Sequence, residues 1–277
     1  MSLYKYVAPE RIDILRNGFI RFAQRSALND PLEISPIFRD VEHIIPLISD
    51  PRYAGKQIEM KATLLGAEAE PYIVKLGRGA EERERFVAHM RFLVDQVCAT
   101  MGEAIGVLSL TERPDNVLMW AHYAQQHQGL VIQFDETHAF FNNRDAAGWS
   151  QVNKIAYSDE RPLRASMVDL SIQEVFFTKG RDWEYEQEWR LLRLLSDCHK
   201  NFSTPAGTVH LFYVPADCIT GVILGCRMIK EDRDELLSLF ASDERYHHVK
   251  TYQIEIDPDK YQLNIRAAEA ANQAGSA

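Results

Sequence analysis

Residues 183–195 read Trp-Glu-Tyr-Glu-Gln-Glu-Trp-Arg-Leu-Leu-Arg-Leu-Leu, and the stretch changes character halfway along. Glu184, Glu186 and Glu188 come first, set among Trp183, Tyr185 and Trp189, and an apolar run follows, interrupted by Arg190 and Arg193. The second half reads as a buried strand. The first half reads as chemistry or recognition at the entrance to that strand. On extended backbone alternate side chains share a face, so the three glutamates would line one side and Tyr185, Gln187 and Trp189 the other. Three like charges on one face are tolerated on a solvated surface, or where a cation, a ligand or a nearby arginine uses the negative potential. Two readings stay open: an acidic loop leading into a core strand, and a glutamate placed to polarise or deprotonate a substrate.

Working outward, strands are expected at 208–214, 219–224, 248–256 and 261–265, with a helix at 230–240 between them. Upstream lie a strand at 152–157 and a helix at 168–177. Strands at 104–110 and 130–134 bracket a short helix that Asp115 or Asn116 caps, that carries Trp120, His122 and Tyr123, and that stops near Gly129. The chain begins with a strand at 3–7 and a helix opened by Pro9 and stopped by Asn17-Gly18. A strand at 19–23 and the rigid corner Asn29-Asp30-Pro31 follow. Prolines punctuate 33–79, where short helices are expected, and the helix at 81–101 has the clearest periodicity, with Phe86, Met90, Leu93, Val94 and Val97 inward. No repeat or linker divides the sequence. The expectation is one α+β domain over 1–266 with mixed or mainly antiparallel sheets and flanking helices, a helical insertion near 33–101, and a disordered tail at 267–277.

A length of 277 residues suffices for a sizeable core, and 46% apolar with 26% charged residues is ordinary for a folded soluble protein. A formal charge of -9 disfavours broad attraction to nucleic-acid phosphate but leaves room for a local basic patch. No apolar run approaches the roughly 20 residues that span a bilayer, and the start lacks a secretory apolar region, so a cytoplasmic protein without a membrane partner is expected. Cys98, Cys198, Cys218 and Cys226 are scattered, so buried free thiols are expected and neither a zinc site nor a disulfide framework is signalled. The glycine-rich fingerprints of Rossmann folds and P-loops and the serine-hydrolase elbow do not occur. His247-His248 points to opposite faces of a strand edge and makes a poor chelating pair, so no metal is expected.

Polar residues gather instead at element ends. In order they are Leu-Tyr-Lys-Tyr at 3–6, Asn-Asp-Pro at 29–31, Leu-Met-Trp-Ala-His-Tyr at 118–123 with Gly-Leu-Val-Ile-Gln-Phe-Asp at 129–135, the run from Thr178-Lys179 through Trp183, Tyr185, Glu186, Glu188 and Trp189 to Arg190-Leu191, and Val-Ile-Leu-Gly-Cys-Arg at 222–227. This succession resembles the bacterial family called domain of unknown function 2971, over roughly residues 3 to 230. A second resemblance concerns the opening and the late strand. A Leu-Tyr strand, a helix ending Ile14-Leu15-Arg16-Asn17-Gly18, a short strand, and Glu186-Gln187-Glu188 before an apolar strand are similar to ADP-ribosyltransferases, whose fold holds NAD in a cleft between two small sheets.

That second resemblance implies NAD as co-substrate and an acceptor that is protein or nucleic acid. Breaking the nicotinamide glycosidic bond builds positive charge on the ribose, and a carboxylate at a ribose hydroxyl stabilises it most in the transition state. Glu188 would take that role and Glu186 would orient the acceptor. Tyr123 or Tyr6 would stack on nicotinamide or adenine, a cation such as Lys5, Arg21 or Lys179 would meet the pyrophosphate, and Tyr4 and His122 would complete the cofactor-binding set. Asn29, Asp30, Trp183, Tyr185 and Arg190 would form a substrate-binding or structural corner. The first strand offers Tyr4-Lys5-Tyr6 where that superfamily has His or Arg. A role in bacterial defence or as a toxin would follow from the resemblance alone.

Two further function classes compete. One is a non-enzymatic recognition or effector module, with Trp183, Tyr185 and Trp189 as aromatic anchors inside an acidic rim. The other is a metal-dependent hydrolase or nuclease with Glu186, Glu188, Asp30 and His122 as ligands. Arg190 or Arg193 could instead close a buried ion pair with Glu186 or Asp30. The deciding geometry is whether Glu188 faces the same cleft as the first strand.

Overall fold

The computed structural model describes residues 1–35, 37–38, 57–60, 63–64, 67–68, 72–75, 85, 88, 96, 98–143, 151–164 and 172–268. Helices accompany mixed and antiparallel sheets, the α+β class expected. Two compact units make up the chain: residues 1–23, 107–155 and 182–277 form the first, and residues 24–106 and 156–181 the second.

The first unit is built on one large sheet. Its strands are β1 (Ser2–Val7), β8 (Ile105–Thr111), β9 (Leu130–Asp135), β10 (Asn153–Lys154), β14 (Glu188–Leu194), β17 (Ile219–Leu224), β18 (Lys250–Ile256) and β19 (Leu263–Ala267). They run in the order β10-β14-β8-β1-β9-β17-β18-β19. Antiparallel ladders dominate, as short connections allow, and β17 with β18 is parallel because the helix Lys230–Ser242 crosses between them. The large sheet is continuous, unlike the split pair of small sheets implied by the likeness to ADP-ribosyltransferases.

The strands β1, β9 and β17 each serve two cores. Leu3 and Val7 of β1, Leu108 and Leu110 of β8, Leu130, Ile132 and Phe134 of β9, Leu191 of β14, and Val222 and Leu224 of β17 pack into one cluster. The residues between them face the other way: Tyr6, Val131 and Ile223 join Met119 and Trp120 of the helix Val117–Tyr123, with Ile254 and Leu263. A strand buried on both faces reads as a near-continuous apolar run, which is how 130–134 and 219–224 appear in the sequence. A second sheet, β15 (Lys200–Thr204), β16 (Gly207–Tyr213) and β2 (Phe19–Phe22), contributes Ile20, Phe22 and Phe212 to the first cluster. There the Arg193 guanidinium lies over the rings of Phe140, Phe22 and Phe212, 4.4, 5.3 and 5.5 Å from their centroids, and burial lowers its pKa.

In the second unit, β11 (Ala156–Ser158) pairs in parallel with β13 (Thr178–Gly180), and β3 (Ile37–Phe38) with β12 (Leu163–Arg164). Between 57 and 75, where short helices were the expectation, β4 (Gln57–Met60) pairs with β7 (Tyr72–Lys75) and β5 (Thr63–Leu64) with β6 (Ala67–Glu68). Four-residue apolar pieces carry too little periodicity to separate the two states. Residues 85, 88, 96 and 98–104 are helical, in line with the helix read at 81–101, and its inward set Phe86, Met90, Leu93, Val94 and Val97 lies outside the described residues. The helix read at 168–177 is described as Ile172–Phe176. Of the tail, Ala267 ends β19 and 269–277 lie outside the described residues.

Gly129, just before β9, sits hard against β1. A Cβ there would stand 2.1 Å from the Val7 carbonyl oxygen and 3.1 Å from the Ala8 Cα, both backbone atoms. Gly129→Ala must push β1 and β9 apart at Val7–Leu130, the last pair of their ladder. We expect a loss of about 1–3 kcal/mol or more in urea denaturation, the usual cost of overpacking.

Candidate functional site

The site grows from the helix Val117–Tyr123, whose start is fixed by Asn116. The Asn116 Oδ1 accepts from Leu118 N at 2.9 Å and Met119 N at 3.1 Å, so of the two capping residues read from the sequence Asn116 serves. Its Nδ2 donates to the Tyr185 carbonyl at 2.9 Å, tying the helix to the Arg181–Glu186 turn. That turn is a 3-10 helix, not extended chain, and Gln187 after it has φ 46 in the left-handed region. The expected row of Glu184, Glu186 and Glu188 on one face therefore does not form. Glu184 is exposed while Glu186 and Glu188 are 3% and 2% exposed.

Each buried glutamate has its own partner. The Tyr123 hydroxyl donates to Glu186 Oε1 at 2.5 Å, and the Thr111 hydroxyl donates to the Glu186 carbonyl. Glu188 accepts from Arg190 through both oxygens, Nε to Oε1 at 2.7 Å and Nη2 to Oε2 at 3.1 Å. This bidentate pair is fully buried. An Arg190 ion pair was expected with Glu186 or Asp30. Residues two apart on a strand share a face, which makes Glu188 the natural partner.

Alternation sets the side of the sheet on which Glu188 lies. Trp189 and Leu191 pack with the cluster that holds Leu3 and Val7, so Glu188 and Arg190 project to the opposite side of the sheet, the side of Tyr4, Tyr6 and Thr111. The Tyr6 hydroxyl donates to the Arg113 carbonyl at 2.8 Å and accepts from Asn116 N at 3.3 Å, and burial drives its pKa well above the ordinary tyrosine value. Burial also raises the pKa of Tyr4. Tyr4, Tyr123 and Tyr185 all pack against the cluster of Tyr6 and Trp120. The structure thus brings Tyr4, Tyr6, Tyr123, Tyr185, Glu186, Glu188 and Arg190 to one side of one sheet.

Other candidates lie elsewhere. Lys5 alternates to the far face and donates to the Ser109 carbonyl at 2.9 Å. Arg21 is on β2 in the second sheet. His122 is exposed, its ring 6.2 Å from that of Tyr123. Lys179, Asn29 and Asp30 belong to the second unit. There Lys179 pairs with Glu33 at 2.9 Å, both buried, and Asp30 Oδ1 accepts from Leu32 N at 2.8 Å to hold the corner. Among the described residues no group of three or more His, Cys, Asp or Glu is placed to hold a metal ion. The ligand set of a metal-dependent hydrolase does not assemble there.

The turn after the helix escaped sequence reasoning. Gln125, Gln126 and His127 follow one another at φ 44, 56 and 70, a left-handed run without glycine. Such residues cost about 1–2 kcal/mol each, so tertiary contacts must hold them. His127 N donates to the Trp120 carbonyl at 3.1 Å, its carbonyl accepts from Arg227 N at 3.0 Å, and its ring stacks on Trp120 at 8° and 6.2 Å. Gly129 was the sole sequence signal, and it marks only where the helix has ended.

Two predictions follow from this geometry. Removing one member of the buried pair, as in Arg190→Leu or Glu188→Ala, takes the bidentate partner from a buried charge and should cost about 3–5 kcal/mol in denaturant unfolding. His127 is held below its ordinary pKa by burial and then by Arg227. The unfolded chain then takes up that proton more readily, so stability should fall as pH drops below about 6.5 towards the lowered folded-state value. Thermal melts from neutral to mildly acidic pH should show a larger loss for the wild type than for His127→Gln.

No curated protein and no solved structure matches the chain. The family model described as Protein of unknown function (DUF2971) matches residues 119–191, from within the helix of Tyr123 to the first half of β14. None of these comparisons supports the likeness to ADP-ribosyltransferases. The likeness to domain of unknown function 2971 is shown over residues 119–191, the segment that holds Tyr123, Tyr185, Glu186, Glu188 and Arg190.

Proposed function

We propose that the protein is a recognition module whose binding surface is the Asp182–Glu186 turn, and that it takes up a cationic side chain, arginine or lysine, from a partner protein. The observation that carries this reading is the pairing of the Trp183 and Tyr185 rings, 6.2 Å apart and tilted 33°, beside the exposed carboxylates of Asp182 and Glu184. Aromatic faces attract cations, and an acidic rim adds to the same potential. The turn is pre-organised: the Asn116 bond to the Tyr185 carbonyl and the Tyr123 and Thr111 bonds to Glu186 fix it at three points, which lowers the ordering cost of binding. The deeper carboxylates contribute to holding the surface. Glu188 is committed to Arg190 and Glu186 to Tyr123.

Titration with a tetra-arginine peptide, followed by tryptophan fluorescence, tests this. Binding should weaken by about two- to fivefold in Trp183→Ala and more in the double variant with Tyr185→Ala, with tetra-glutamate inert. Equal binding by wild type and the double variant, or none by wild type, refutes the reading.

A second reading, ADP-ribosyl transfer from NAD to an unknown acceptor, rests on one observation. Glu186 with its Tyr123 contact lies in the turn that leads to the sheet side shared by Tyr4, Tyr6 and Thr111. In it Glu186 replaces Glu188 as the carboxylate that meets the ribose, because both oxygens of Glu188 are engaged by Arg190. Labelled NAD with cell extract should give label transfer and nicotinamide release that Glu186→Gln abolishes. Absence of both products with the wild type removes this reading and leaves the recognition module standing.

A further inference from the structure

The small sheet β15-β16-β2 buries one face and exposes the other. Ile20, Phe22 and Phe212 point into the core. Register and alternation place the rest outward in three rows: Phe19 beside Tyr213, then Arg21, Leu211 and Lys200 side by side, then Val209 beside Phe202. Two cations on either side of Leu211 thus lie between the Phe19–Tyr213 pair and Phe202. Phe202 and Tyr213 are 50% and 44% exposed, large values for aromatic residues in strands. Phe19 and Tyr213 meet edge to face at 6.0 Å, and the exposed ring of His199 lies 6.4 Å from each.

The charge on this face is one-signed. Lys200 Nζ sits 4.1 Å over the Phe19 ring, and the buried Nε of Arg21 has no hydrogen-bond partner. No ion pair joins either cation to a carboxylate among the described residues, and two acids borne on neighbouring segments are engaged, Asp13 by Arg11 at 2.9 Å and Asp243 by Arg245 at 2.6 Å. Burial and then the charge of Arg11 depress the pKa of Arg21, a guanidinium whose local field is short of negative charge. In a chain of net charge -9, two cations flanking Leu211, with the exposed rings of Tyr213 and Phe202 on the same face, are a local inversion of the surface.

We propose that this face binds single-stranded nucleic acid, with Phe202, Tyr213 and Phe19 stacking on bases and Arg21 and Lys200 meeting phosphates. Every base offers a π-face to a ring, and a cation beside it neutralises the backbone, so such a sheet surface recognises unpaired strands with little sequence preference. A duplex, its bases already stacked, gains only the electrostatic part. The site is separate from the Trp183–Tyr185 surface, and its test does not depend on that reading.

Fluorescence anisotropy with labelled oligo-dT and oligo-rU of about 12 nucleotides, at about 50 mM salt, tests it on the whole chain. Both strands should bind, or one of them if the sugar hydroxyl is read, and a matching duplex should bind more weakly. Two phosphate contacts predict a slope of log affinity against log salt near about -1.4. Phe202→Ala and Lys200→Glu change exposed side chains, and circular dichroism should report an unaltered fold. Each should weaken binding about fivefold or more, and Arg21→Gln should flatten the salt slope. Absence of an anisotropy change with either strand, or binding unaffected by Phe202→Ala and Lys200→Glu, overturns the proposal. So does sedimentation velocity showing self-association that Phe202→Ala abolishes, which would make a second copy of the chain the occupant.

Discussion

Period-two alternation in the central strands is the constraint on which the large sheet depends. β1, β9 and β17 each give one set of side chains to an aliphatic core and the intervening set to a second cluster around Tyr6 and Trp120. A slip of one residue in β1 against β9 would move Leu3 and Val7 to the side of Trp120 and Tyr4 and Tyr6 into the aliphatic core. Register is therefore over-determined from both sides. That rigidity is what allows a buried charge pair to persist on β14.

Glu188 and Arg190 would be expensive alone. Each ion loses its hydration, and the mutual attraction offsets that loss only when the geometry is good. The bidentate contact meets the condition, and the spacing of two along a strand sets it up without any long-range coincidence. An apolar pair of similar volume would hold β14 as well or better, so the ion pair is weak evidence for stability as its purpose. Its effect is specific: it fixes the start of β14 immediately after Gln187, and with it the exit of the turn that carries Trp183 and Tyr185.

Much of this was legible in the sequence. The helix cap at Asn116, the strands at 130–134 and 219–224, and the burial of 189–195 follow from local chemistry and period. What could not be read was the turn at 181–186, because the alternating Glu-x-Glu-x-Glu pattern mimics a strand while Gln187 breaks the alternation with a single left-handed residue. Pattern reasoning assumes one backbone state across a window, and one dihedral in another state reassigns every face beyond it. Lys5 shows the converse case. It sits between two tyrosines in sequence, and strict alternation separates it from both, so adjacency in a motif misled where the strand period alone would have sufficed.

Backbone strain supplies the last step. Five non-glycine residues have positive φ among the described residues, and four of them, Gln125, Gln126, His127 and Gln187, fall within 119–191. A chain free to choose would place glycine at such positions, or avoid them, since each left-handed residue costs about 1–2 kcal/mol. The first three follow directly on the helix that carries Tyr123, and the fourth separates Glu186 from Glu188. Tyr123 and Glu186 are hydrogen-bonded to each other, so both strained points border a single contact. Relaxing Gln187 to extended backbone would swing the turn that carries Glu186 relative to β14 and draw its carboxylate away from the Tyr123 hydroxyl. The left-handed residue thus holds the Glu186 carboxylate at the Tyr123 hydroxyl, which is a physical reason for the strain to be borne there.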